Sequence, residues 1–145
     1  MTFEDKIEEF FKEFHKDFSS WVKDFVNLTK RRDIAASINN RFLENRAKSL
    51  IRQYDSLIET YTGIFWRIMS EFAEITSAEK KCIIDKKRES FYTLFSTDII
   101  NMQESAKNLL DDVTEKKIHL SITVQRQIIE IRDTDFKTLL EKITE

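Results

Sequence analysis

The chain holds 145 residues with Gly 1, Pro 0 and Cys 1, which suits one domain and removes most of the punctuation that tight turns, phosphate loops and nucleophile elbows need. With 41% hydrophobic and 34% charged residues, it has apolar side chains for a core and a heavily solvated exterior, the profile of long helices. A formal net charge of -2 excludes a bulk polyanion binder, so an electrostatic partner must be met by a local patch.

The single cysteine, Cys82, permits no intrachain disulfide and too few thiolates for a cysteine zinc site. No apolar run reads as a signal peptide or a membrane span. A reducing, cytoplasmic setting is expected.

The first segment, residues 2–29, reads as one amphipathic helix. At 100° per residue Phe3, Ile7, Phe10, Phe11, Phe14, Phe18, Trp21, Val22, Phe25 and Leu28 fall in an arc of about 120°. Lys30, Arg31 and Arg32 follow, and Asp33 can cap what comes next.

A second helix is predicted over about 33–76. Leu43, Ala47, Leu50, Tyr54, Leu57, Tyr61, Ile64, Ile68, Phe72 and Ile75 recur at spacings of four and three, the rhythm of a coiled-coil seam. Ile34, Ile38 and Phe42 extend it backwards, with a kink or break open at Asn39-Asn40. Gly63 lies inside the pattern and costs about 1 kcal/mol of helix propensity relative to Ala.

Thr76-Ser77-Ala78-Glu79 is a capping-box pattern and marks a boundary. The third helix, about 78–115, carries Ile84, Phe91, Phe95, Ile99, Met102, Ala106, Leu109 and Val113. In the last segment Ile118, Leu120, Ile122 and Val124 alternate with polar residues as a strand would, but no partner strand is on offer and a lone strand is unstable. Residues 116–143 therefore read as a fourth helix, open to a disturbance at Asp133-Thr134-Asp135. The expected fold is all-α: an antiparallel up-down-up-down helical bundle with a long, coiled-coil-like hairpin of helices two and three.

Charge is banded along the chain. Residues 30–52 carry a net +5 and residues 91–115 a net -4, so a fold-back at Thr76 would lay complementary bands side by side. The long second helix, roughly 65 Å against about 40 Å for the first, suggests that the hairpin tip outruns its neighbours. Phe65, Trp66, Met69, Phe72, Ile84 and Phe91 on that tip are the candidate protein interface.

No chemistry-bearing constellation stands out. Neither His15 nor His119 has the Glu-x-x-His spacing of a di-iron bundle, since Lys12 and Lys116 stand three residues before them. The carboxylates sit mostly on polar faces among lysines. The expectation is a non-enzymatic scaffold or adaptor without cofactor or metal, partnered by itself, as a homodimer, and by another protein. Two alternatives stand beside it. Lys30, Arg31, Arg32, Arg41, Arg46 and Arg52 could contact nucleic-acid phosphates, and the first helix could adsorb to a lipid or polymer surface through Phe10, Phe14 and Trp21.

Overall fold

Phe14 shows why the first helix ends up inside the bundle. Its ring lies 5.0 Å from that of Tyr61 on one side and 5.3 Å from that of Phe95 on the other, because the apolar arc is wide enough to serve two neighbours at once. The computed structural model describes residues 1–30 and 40–144. Five helices follow in order: α1 (Phe3–Lys30), α2 (Asn40–Glu71), α3 (Ser77–Thr114), α4 (Ile122–Arg132) and α5 (Phe136–Thr144). No strand occurs among the described residues.

All ten residues of the predicted α1 arc are buried. The α3 stripe is equally faithful, with Ile84, Phe91, Phe95, Ile99, Met102, Ala106 and Leu109 buried and Val113 at the core's margin. On α2 the buried set is Leu43, Ala47, Leu50, Tyr54, Tyr61, Phe65 and Ile68, joined by Ile51. Leu57 and Ile64 are only partly covered, as are Phe72 and Ile75, which lie in the turn beyond Glu71 rather than in a helix running to 76. These residues merge into one hydrophobic cluster, the condition for a single cooperative core.

The helices run up, down, up and down as an all-α antiparallel bundle. α1 starts at the α2/α3 turn, where the Phe3 and Phe72 rings lie 5.4 Å apart. It packs against both α3 and α2, while α4 packs mainly on α3 and α5 mainly on α2. α2 and α3 join as a hairpin, yet beyond their turn they make no close backbone approach among the described residues. They stand diagonally across the bundle, with α1 between them on one side and the α4–α5 pair on the other. The seams are real, but each faces α1 and the fourth position. The charge bands expected to lie side by side are therefore kept apart.

Helix ends follow local chemistry. Thr76 is extended and its hydroxyl accepts the Glu79 N–H at 3.2 Å, as the capping box predicts. At the other end of α3, Lys116 takes φ 62°, its N–H reaches the Val113 carbonyl and the Lys117 N–H reaches that of Asp112. That is a Schellman closure with lysine where glycine is usual.

The single helix predicted over 116–143 is replaced by an extended link and two short helices. Ile118 and Leu120 point inward and His119 outward, so the strand-like alternation correctly signals extended backbone, though without a partner strand. Ser121 then caps α4 through the Val124 N–H. The Glu44 carboxylate, 3.1 and 3.2 Å from the Ser121 N–H, ties that start to α2. α4 stops at Asp133, and Asp135 opens α5 by accepting the Thr138 N–H at 2.6 Å, a bond that holds its carboxyl below the usual range. The Gln103 side-chain amide donates to the Thr134 carbonyl and fixes the break against α3. The predicted start of helix two at 33, its extension through Ile34 and Ile38, and Asn39 of the expected kink lie outside the described residues.

Candidate protein-interaction surfaces

The hairpin tip is covered from within the chain. Phe65 packs against Phe10 with ring centroids 5.8 Å apart, and Phe91 stacks on Phe11 at the same distance. Phe65, Ile84 and Phe91 belong to the chain's own core. α1 reaches the tip because its N-terminal turn lies there, and the Lys87 ammonium sits 3.3 Å from Glu4 and 3.7 Å from Glu8. On the opposite side the Arg88 guanidinium donates to the Thr144 hydroxyl at the end of α5. The length mismatch read from the sequence is absorbed in this way: α1 lies along the tip half of α2 from its first turn, and the two-part fourth element climbs to meet it.

What the tip leaves to solvent includes Trp66, 51% exposed, on α2 and Tyr92, 52% exposed, on α3. The Trp66 ring stands edge-on to Phe65 at 6.1 Å, with Met69 half-buried in the same helix and Phe72 half-buried in the turn that follows it. The Met69 carbonyl accepts the Lys80 ammonium at 3.0 Å, across the mouth of the turn. Of the six residues predicted for the interface, Trp66 alone is exposed, Met69 and Phe72 are half-buried, and three are interior.

The basic band keeps its outward aim. Lys30 ends α1, and Arg41, Arg46, Lys48 and Arg52 are exposed along the first half of α2; Arg31 and Arg32 lie outside the described residues. On α3, Asp98 is turned toward α1, where His15 Nε2 approaches its carboxylate at 3.0 Å and the Ser19 hydroxyl at 3.4 Å. His15 is edge-on to Phe95 at 5.2 Å, a boundary position between core and solvent. His119 is exposed on the link before α4. Among the described residues no group of three or more His, Cys, Asp or Glu is arranged to hold a metal ion, and no helix is long and apolar enough to cross a membrane. Cys82 is exposed.

Phe10, Phe14 and Trp21, the residues a surface-adsorbed first helix would turn outward, are buried. The Trp21 indole N–H also donates to the Leu50 carbonyl at 2.8 Å. Freeing α1 would forfeit that bond and the whole aromatic ridge.

A feature that the sequence reading missed is a groove between α1 and α2. Its lower part, about 880 Å³, is lined by Asp17 of α1 and by Ser49, Arg52, Gln53, Ser56, Leu57, Thr60, Tyr61 and Ile64 of α2. A narrower part of about 330 Å³ continues toward the tip between Lys6, Glu9 and Glu13 on α1 and Arg67 and Glu71 on α2, over Phe10 and Ile68. Tyr61 joins the two parts and donates its hydroxyl to the Asp17 carboxylate. Burial, with the hydrogen bond to Asp17 and the nearby acidic charges adding to it, pushes the Tyr61 hydroxyl well above the ordinary tyrosine range. The signal was present in the α2 seam, where Leu57 and Ile64 alternate with Tyr61; neighbours that leave such residues half-covered cannot be read from period alone.

Comparison of the chain with protein-family models, curated proteins and solved structures finds no match to any of them.

Proposed function

We propose that this protein is a non-enzymatic helical scaffold that works through protein–protein contacts, with the outer face of α2 as its principal contact element. The observation that carries this reading is Trp66. It is a large amphipathic ring, 51% exposed on a helix whose inward face is already satisfied by α1 and α5. Tryptophan buries much area at low entropic cost and is enriched where interfaces draw their energy. The half-buried Met69 beside it adds an adaptable apolar surface.

Replacing Trp66 and Met69 together by Glu is expected to abolish capture of the partner protein while leaving the helical circular dichroism and the thermal midpoint near wild type. Quantitative pull-down at matched concentrations, read beside circular dichroism, tests it. Undiminished capture by a folded double variant refutes the assignment of Trp66.

A second reading draws support from the separation of the charge bands. Because α2 and α3 stand diagonally, the acidic residues of α3 do not cover the exposed Arg46, Lys48 and Arg52. A phosphate-binding role for this stripe requires an affinity for duplex DNA or RNA that falls steeply as salt rises from 50 to 200 mM. Weak binding, or binding insensitive to salt, removes this reading.

A further inference from the structure

We infer that the α1/α2 groove is a self-association face, and that its occupant is the same groove of a second copy related by a two-fold axis. This inference rests on the scaffold reading above and names one of its partners.

The two edges of the groove carry opposite charge. The α1 edge presents Glu9, Glu13 and Asp17, and the α2 edge presents Arg52 and Arg67. None of these five forms an ion pair among the described residues. Lys6 and Glu71 invert the pattern only at the tip end. A two-fold axis running along the groove, midway between the copies, lays each copy's α1 edge against the other's α2 edge, so acids meet arginines twice. An isologous contact of this kind is self-complementary by construction, and charge complementarity fixes its register and suppresses wrong partners.

Shape agrees with charge. The floor offers the Tyr61 ring with Leu57 and Ile64 half-covered, while Ser49, Ser56 and Thr60 keep the α2 wall low. Gly63 continues that low wall, and nothing lies within 4 Å of where its Cβ would be. A second helix can approach α2 closely at such a position. From Ser49 to Glu71 the face runs roughly 33 Å, and a helix pair is about 20 Å across, giving on the order of 650 Å² per copy. A standard stable interface buries about 800 Å² per partner. The face is therefore slightly smaller than a standard interface, and self-association is expected to depend on concentration.

Sedimentation equilibrium of the full chain from 5 to 200 µM tests the inference with charge reversal and rescue. Wild type should shift from 17.4 kDa toward twice that mass. Glu9→Lys with Glu13→Lys makes both edges basic, and Arg52→Glu with Arg67→Glu makes both acidic. Each double variant should weaken self-association at least about tenfold, and an equimolar mixture should restore it as a heterodimer, which also shows that both variants are folded. A wild-type monomer at 200 µM overturns this inference and the self-associating part of the scaffold reading. A dimer that ignores both reversals but is lost with Trp66→Glu overturns the groove alone and moves the contact to the tip.

Discussion

Tyr54 and Tyr61 stand seven residues apart on the inward face of α2, and their hydroxyls meet opposite fates. Tyr61 reaches the Asp17 carboxylate. The Tyr54 ring packs on Trp21 at 4.9 Å, but its hydroxyl is buried without a hydrogen-bond partner of good geometry. Burial pushes its pKa from 10.0 up to about 12, against the opposing influence of the nearby Thr134 hydroxyl. A pKa raised on folding means that the neutral phenol is the form the fold accommodates. That stability is complete below pH 10 and drains away as pH climbs toward 12. Tyr54→Phe removes a polar atom that has nothing to bond, so stability at pH 7 should change by less than about 1 kcal/mol. Between pH 10 and 12 the variant should retain roughly 2–3 kcal/mol that wild type loses, at about 1.4 kcal/mol per pKa unit. Urea melts at pH 7 and across the alkaline limb check both; an alkaline limb unchanged by the substitution contradicts the account.

At the scale of the helix, the chain's one glycine and its one left-handed non-glycine residue among those described occupy each other's natural places. Gly63 sits inside α2 with open space around its would-be Cβ, where alanine would favour the helix by about 1 kcal/mol. Lys116 holds φ 62° at the close of α3, where glycine avoids a left-handed cost of about 1–2 kcal/mol. Gly63→Ala and Lys116→Gly should each raise the unfolding free energy by about 1 kcal/mol in denaturant melts. A loss on Lys116→Gly would show that the lysine side chain contributes more than its backbone costs. A gain in stability with a weakened dimer on Gly63→Ala would locate the use of this glycine in the groove.

Boundaries at this scale were legible where side chains act on their own backbone. Thr76 and Glu79 announce the start of α3, and the Asp133-Thr134-Asp135 cluster announces a disturbance that proves to be the break between α4 and α5. The extent of that break was hidden. The break is held by Gln103 from α3 and the start of α4 by Glu44 from α2, and no local pattern around 118–135 records them.

For the whole molecule, periodicity told which side chains are inside and was silent on what they face. Ile84, Phe91 and Phe95 belong to the predicted α3 stripe and are buried, yet Phe91 and Phe95 meet Phe11 and Phe14 of α1 rather than the seam of α2. A stripe repeating every three and four residues is the same whether a helix has one neighbour or two. The clue to the true arrangement was the width of the α1 arc, whose opposite edges serve α2 and α3. The candidate interface met the same ambiguity: all six residues are apolar, and three of them, Phe65, Ile84 and Phe91, are spent in the chain's own core, while the groove edges, made of ordinary charged residues, carry no signal in the sequence of either helix alone.

The inner placement of α1 also sets a timetable for the newborn chain. Its aromatic face is made before the surfaces that cover it, and the rings that close over Phe11 and Phe14 from the α3 side, Phe91 and Phe95, are encoded some 80 residues later. At about 5–20 residues per second, translation leaves that ridge without its second wall for roughly 4–16 s. During that interval the segment that later anchors the whole fold is the part most open to chaperones and to aggregation.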